Sequence, residues 1–271
     1  MIDNLTIKAL QEINGKFNPD YKIYGQTNED LDALFENFDF NNKEVLSVLG
    51  SSDQLLCSYF YGAKQVDTFD RNITAAYYYY FRKWLINYTN EIYPFFYSYL
   101  NKYKEMVNNI NPSNDIEQEA KRFWKLVLNN GFKEYDYFEY SAYCQRNKFE
   151  KDENFIKDIY KKEMVFKNFN MFDPINLNKK YDIIIVSNMI EYLERNKQSL
   201  IILRNNLEKL LKDNGIVICS FIVNDTKSKN FLYQKEILTQ NKLEYQTHYE
   251  YYEPLLGRTN ESGYSYKLKK N

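Results

Sequence analysis

The chain has 271 residues, 44% of them hydrophobic and 27% charged, which is the composition of an ordinary globular protein and long enough for one large domain or one domain with a sizeable insertion. Its 36 Lys and Arg stand against 37 Asp and Glu, so no basic excess exists to hold a phosphate backbone across a broad face, which argues against a dedicated nucleic-acid binder. No run approaches the roughly 20 apolar residues of a membrane span, and Met1 to Leu10 lacks the basic and apolar regions of a secretory leader, so a cytoplasmic protein is expected.

In chain order, Val45 to Leu49 is an apolar run of strand length that stops at Gly50-Ser51-Ser52-Asp53. Leu55, Leu56, Tyr59 and Phe60 then recur at helical spacing until Gly62. Gln65 to Phe69 alternates toward a second strand ending at Asp70. Asn72 follows as an N-cap, and Ile73, Ala76, Tyr77, Tyr80, Phe81, Trp84 and Tyr88 mark one helix face. The whole reads as a βαβα unit, which implies parallel strands with right-handed crossovers. Between Thr89 and Met164 the apolar positions Phe95, Phe96, Tyr99, Leu100 and Tyr103, then Phe123, Trp124, Leu126 and Val127, predict a helical insertion packed over one edge of the sheet, with Tyr135 to Tyr143 its less regular part.

The same grammar returns at Val165 to Phe169 (a strand), Tyr181 to Val186 (a strongly apolar strand ending at Ser187-Asn188) and Leu200 to Leu211 (a helix). Asp213-Asn214-Gly215 predicts a helix-to-strand turn before a buried strand from Ile216 to Val223. Leu243 to Tyr251 and Tyr264 to Leu268 alternate as two edge strands, antiparallel to each other across the Glu253 to Gly263 loop. The expected domain plan is a sheet domain from 1–88 and 165–271, with 1–42 as a cap segment, and an insertion from 89–164.

Cys57, Cys144 and Cys219 are odd in number, far apart and set in apolar or aromatic context, as reduced core thiols are. The single histidine, His248, rules out a His-rich zinc centre, and no metal site is expected. The 27 Tyr and 19 Phe, taken with the abundant Lys, Asn and Ile, read as the codon bias of an AT-rich genome rather than as a stacking surface.

Chemistry concentrates at the ends of the first two strands. In a doubly wound sheet these ends share one rim, and an acid about 20 residues beyond the first turn is placed to accept hydrogen bonds from a ribose diol. Asp70 lies 20 positions after Gly50, which suits an adenosine-containing cofactor. A G-x-G-x-x-G fingerprint is absent, so a nucleoside is favoured over a dinucleotide.

Gly50-Ser51-Ser52-Asp53-Gln54, Gly62-Ala63-Lys64, Asp70-Arg71-Asn72 and Tyr77 to Lys83 resemble the S-adenosylmethionine (SAM) binding half of the 3-amino-3-carboxypropyltransferases of betaine-lipid synthesis. Ile23 to Asp30 is similar to that family's upstream tyrosine and W-E-D segment, with Asn28 in place of Trp, and Ser187 to Leu193 resembles the segment after its fourth strand. The resemblance implies an α/β, class I SAM-methyltransferase-like (Rossmann-like) fold, with a mostly parallel sheet, helices on both faces and C-terminal antiparallel edge strands. Ser52 replaces the usual Gly of the turn, which is tolerated if that position keeps a negative φ and Ser serves as a cap.

Carried over by position, the resemblance implies that Gly50, Ser51, Ser52 and Asp53 contact the methionine moiety and that Asp70, with Arg71 beside it, holds the ribose hydroxyls. Asn170 and Met171 would flank adenine, and Ser187 with Asn188 would line the reaction chamber. Attack on a sulfonium carbon is an in-line displacement that alignment and exclusion of water can accelerate, which suits a protein poor in His. If a base is needed, Asp53, Tyr24, Glu191 and Tyr192 are the candidates.

The reading is a SAM-dependent transferase, with 3-amino-3-carboxypropyl transfer ahead of methyl transfer and a small-molecule, lipid-headgroup or glycan-precursor acceptor held under the insertion. The alternative is a non-catalytic SAM-binding or degenerate scaffold. An RNA-modifying enzyme would need a concentrated basic patch, which the scattered Lys148, Lys151, Lys161, Lys162 and Lys167 do not form.

Overall fold

The computed structural model describes residues 23–27, 29–94, 96–129, 138–139, 147–193, 196–221, 228–251 and 261–269. The chain divides into two compact units. One comprises Met1–Asn28, Leu49–Leu56 and Asp70–Asn168, and the other Glu29–Val48, Cys57–Phe69 and Phe169–Asn271. Among the described residues no helix is long and apolar enough to cross a membrane.

The second unit holds the sheet strands β2 (Glu44–Val48), β3 (Gln65–Asp70, its last residue counted with the first unit), β6 (Tyr181–Ser187), β7 (Leu211–Phe221), β8 (Leu243–Tyr251) and β9 (Glu261–Leu268). Their order is β3-β2-β6-β7-β9-β8. β3, β2, β6 and β7 are parallel neighbours, and β9 is antiparallel to both β7 and β8. Buried on both faces, β6 reads as a near-continuous apolar run, with all of it except Asp182 buried. Leu46, Ile184, Val186, Val217, Leu203 and Leu207 belong to one core cluster, the last two contributed by the helix Lys197–Leu210. That helix starts where Asn196 accepts the Ser199 N–H at 3.1 Å.

Two expectations are corrected here. Tyr264 to Leu268 is not an edge strand: β9 lies between β7 and β8, and its Tyr264 and Tyr266 are fully buried, which alternation alone cannot separate from an edge. Asp213-Asn214-Gly215 is not a turn before the strand. β7 begins at Leu211 and carries these residues as an irregularity, its register jumping from Tyr181↔Leu211 to Ile183↔Ile216, with Asn214 at φ 61°. A Cβ at Gly215 would lie 2.9 Å from the Lys212 carbonyl oxygen and 3.2 Å from that of Asp182. Gly215→Ala is therefore expected to destabilise the protein by about 1–3 kcal/mol, measured by urea denaturation.

The first unit is mainly helical. In chain order the described helices are α1 (Leu31–Phe35) and α2 (Asp53–Phe60), then α3 (Thr74–Thr89), α4 (Phe96–Asn109), α5 (Asp115–Asn129) and α6 (Glu153–Lys161), with α7 (Lys197–Leu210) and α8 (Lys229–Leu238) following; α3 to α6 fall in this unit. β1 (Ile23–Tyr24) pairs in parallel with β4 (Phe138–Glu139), and β5 (Val165–Asn168) closes the segment.

The face expected for α3 is also corrected. Thr74 to Arg82 and Trp84 to Ile86 are all buried, whereas Tyr88 is 43% exposed. The helix is enclosed rather than amphipathic, because α4, α5 and α6 all pack on it. Phe81 meets Trp124 of α5 at 4.4 Å and Tyr103 of α4 at 5.5 Å, and Tyr79 meets Tyr160 of α6 at 5.0 Å. The Trp124 indole N–H donates to the Tyr77 carbonyl at 2.8 Å, and that of Trp84 to Glu117 at 2.8 Å, so the large polar aromatics are satisfied inside the bundle. Asn72 accepts the Thr74 N–H at 3.1 Å, but the N-cap position is held by Ile73, which makes no side-chain cap, so the expectation of Asn72 as N-cap is corrected by one residue. Cys57 and Cys219 are both fully buried, and Cys144 lies outside the described residues.

Candidate functional site

The turn after β2 is built around a buried carboxylate. Asp53 opens α2 with no exposed surface. Its Oδ2 accepts the Thr27 N–H and the Ser51 hydroxyl, each at 2.7 Å, and its Oδ1 accepts Arg82 Nη1 at 2.8 Å and the Tyr93 hydroxyl at 3.1 Å. Arg82, projecting from α3, is equally buried. Its Nη1 also reaches the Ser51 carbonyl at 2.5 Å, its Nε donates to the Ile92 carbonyl at 3.2 Å, and its guanidinium carbon lies 4.5 Å from the Tyr93 ring centre. Removing two charges from water is costly, and what offsets it is this close pairing with the Asp53 oxygens filled, although Arg82 Nη2 is buried without a hydrogen-bond partner among the described residues. The pair clamps the turn onto α3. Asp53 is thus engaged by four donors, and its function as a base would have to compete with them.

The turn holds two residues in the left-handed region, Gly50 at φ 48°, which glycine adopts freely, and Ser52 at φ 72°, where the strain lies. The condition under which serine replaces glycine here without cost, a negative φ, is therefore not met. The left-handed conformation of a non-glycine residue costs roughly 1–2 kcal/mol, and here it is held by the Ser52 N–H to Leu49 carbonyl bond of 2.6 Å and by the Ser52 hydroxyl bound to the Ser51 carbonyl. Ser52→Gly should keep the turn with stability changed by no more than about 1 kcal/mol, while Ser52→Val, with a β-branched side chain at positive φ, should lose 2 kcal/mol or roughly more. Equal melting temperatures for the two variants would contradict the assigned strain.

Asp70, at the end of β3, ties itself to the same turn. Its Oδ2 accepts the Gly50 N–H at 3.1 Å and its Oδ1 the Asn72 N–H at 2.9 Å. Burial pushes the Asp70 carboxyl above the usual carboxylate range, against the lowering pull of the Asn72 and Gly50 N–H bonds. Asn168, which sequence reasoning did not single out, donates its amide to the carbonyls of Asp70 at 2.9 Å and Arg71 at 3.2 Å, fixing the segment that follows. The Arg71 side chain is exposed. Gly50, Ser51, Ser52, Asp53 and Asp70 therefore form one cluster. The strand carrying Tyr24 joins this unit through β4, and the next residue, Gly25, accepts the Tyr78 hydroxyl at 2.6 Å; the Tyr24 and Tyr192 side chains and the whole of Asn28 lie outside the described residues.

The second unit carries the other predicted residues. Met171 is wholly buried in the core cluster, and Asn170 turns its side-chain oxygen to the Phe172 N–H at 3.2 Å. The loop around them is pinned by Asn206, whose amide donates at 2.8 Å to the carbonyls of both Met171 and Asp173. Ser187 ends β6 at φ 53° and is 6% exposed, with half-buried Asn188 after it and half-buried Glu191 in the short helix Met189–Leu193. The Ser187 hydroxyl donates to Glu29 at 2.5 Å, and the Ser220 hydroxyl on β7 binds the same oxygen. Glu29 was not among the predicted site residues, although its place in the upstream acidic segment was a signal. Among the described residues no group of three or more His, Cys, Asp or Glu side chains is placed to hold a metal ion.

No protein-family model matches the chain, and no curated protein matches it. Among solved structures it is similar to the N-methyltransferase NodS from Bradyrhizobium japonicum WM9 in complex with S-adenosyl-L-homocysteine, at 10% identity and a TM-score of 0.45 over 99% of this chain and 100% of that one. It is also similar to a methyltransferase from Pyrococcus furiosus (10% identity, TM-score 0.45, 98% of both chains) and to the ribosomal protein L11 methylase from Lactobacillus delbrueckii subsp. bulgaricus (13%, 0.41, 89% of this chain and 76% of that one). The assignment of fold rests on the strand order: four parallel strands continued by β9, inserted antiparallel before β8. The fold is class I methyltransferase-like. In such sheets ligands bind outside the carboxyl ends of the strands, and Gly50 and Asp70 lie at two such ends.

Proposed function

We propose that the chain is a cytoplasmic SAM-dependent transferase acting on a small-molecule, lipid-headgroup or glycan-precursor acceptor, with SAM as its cofactor. The observation that carries this reading is the bond between Asp70 and the Gly50 N–H, which joins the strained turn after one parallel strand to the acid ending the next. A carboxylate fixed by two backbone N–H groups retains lone pairs suited to a vicinal diol, and this residue set fits an adenosine ribose without a pyrophosphate. SAM supplies an electrophilic carbon on a sulfonium, and the residues bind, orient and exclude water from it.

Asp70 holds the ribose, the Gly50 to Asp53 backbone faces the methionine moiety, and Asp53 acts through its ion pair as a positioning residue. Asn170 and Met171 for adenine, Ser187 and Asn188 for the reaction chamber, and Glu191, Tyr24 and Tyr192 as alternative bases belong to the same proposal. The group transferred is 3-amino-3-carboxypropyl, in keeping with the resemblance of Gly50 to Gln54 and Ser187 to Leu193. The test is mass analysis of spent cofactor after incubation with SAM and candidate acceptors. Methylthioadenosine is the expected product; S-adenosylhomocysteine would replace the transferred group by methyl, and failure to bind SAM would leave a scaffold.

A further inference from the structure

At the carboxyl ends of β6 and β7 the second unit buries a carboxylate against two serine hydroxyls. Glu29 is 1% exposed, and a single oxygen of it receives both Ser187 and Ser220. Two local distortions aim Ser187 there. The β6 and β7 register shifts between Ile185 and Ser187, and Ser187 holds φ 53°, a conformation a serine adopts only at a cost. Bulges that re-aim a side chain and residues held at unfavourable φ both concentrate at functional sites. Asn188 beside the pair is half-buried, its side-chain oxygen 3.5 Å from the Ser187 hydroxyl.

We infer that Ser187 and Glu29 form a proton-accepting pair for the nucleophilic amine or hydroxyl of the acceptor. The inference rests on the transferase reading above. As the acceptor heteroatom forms its bond to the sulfonium carbon, the carbon–sulfur pair returns to sulfur as a neutral thioether. The acceptor proton passes to the Ser187 oxygen while the Ser187 proton passes to Glu29, which later releases it to water. Glu29 suits this better than Asp53: both accept two hydroxyls, but Asp53 is also bound to a guanidinium that keeps its proton and stays paired with the carboxylate. Ser220 holds the Glu29 oxygen in place as a positioning residue.

The test uses the full chain with SAM and ethanolamine, the smallest probe carrying both an amine and a hydroxyl, and reads ethanolamine-dependent release of spent cofactor. Glu29→Gln, which keeps an acceptor oxygen for both serines, should bind SAM as the wild type does and lose about 10²–10⁴-fold in kcat. Ser187→Gly, which suits the positive φ and removes only the hydroxyl, should lose a comparable factor and carries the test if Glu29→Gln fails to fold. A kcat within threefold of wild type in either folded variant would overturn the pair. So would a wild type that binds SAM and shows no ethanolamine-dependent release. A wild type that binds no SAM would instead overturn the transferase reading.

Discussion

Arg82→Met is expected to cost about 3–5 kcal/mol of folding stability, more than any exposed substitution in the chain. Methionine keeps most of the volume of the arginine stem, so the loss does not come from a cavity. It comes from leaving the Asp53 carboxylate, which has no exposed surface, without the cation 2.8 Å away. The Ser51 and Ile92 carbonyls lose their donors in the same step. Asp53→Leu together with Arg82→Met should recover part of the loss, because removing both charges also removes their desolvation cost. Urea denaturation of the two single variants and the double variant measures the coupling. Strict additivity would show that the pair is not a unit.

The second large effect is on ligand affinity. Asp70→Ala should weaken SAM and S-adenosylhomocysteine binding by roughly 10- to 100-fold, the loss expected when hydrogen bonds to a charged group are removed. Stability should fall by only about 1–2 kcal/mol, since two backbone N–H groups lose an acceptor at a half-buried position. The pH dependence follows from the raised carboxyl. Ribose hydroxyls bind the ionised form, so affinity should rise with pH through this raised value and be lost on acidification earlier than for an ordinary aspartate. Folding runs the other way: a carboxyl harder to ionise in the native state contributes stability that is complete below its unfolded pKa and is lost as pH rises through the native one. Titration calorimetry between mild acid and neutral pH measures the first trend, and the Asp70→Ala variant should not show it.

The framework of this fold was legible because it depends on local grammar. The apolar run at Val45, the Gly50 stop, the helix to Phe60 and the strand to Asp70 were expected nearly at their observed bounds, and so was the apolar strand at Tyr181. Turn residues and periodicity are short-range signals, and the first two strands of the sheet follow them. Long-range electrostatics left no such trace. Arg82 sits within a tyrosine-rich helix, where a lone arginine ordinarily reads as solvated, and its partner is 29 positions away. The short helix Lys229–Leu238 went unforeseen because its buried Phe231, Gln234, Ile237 and Leu238 include a polar residue that interrupts the apolar pattern.

The candidate site divides in the same way. The pairing of Gly50 with Asp70 was readable from their spacing, since both end parallel strands. The left-handed Ser52 was not, because serine gives no sign of φ and the conformation is imposed by a clamp formed from α3. Met171, named beside Asn170 only through the resemblance, is drawn into the core while Asn206 of α7 holds the loop at its carbonyl.

The central claim is that the turn joining Gly50 to Asp70 binds the adenosine of SAM. The most direct measurement is a calorimetric titration of wild type and Asp70→Ala with S-adenosylhomocysteine, with melting temperatures taken on the same samples. A saturable one-to-one isotherm in the wild type, at least tenfold weaker in a folded Asp70→Ala, is the predicted result. Absence of binding by the wild type, or equal affinity in the two proteins, would contradict it.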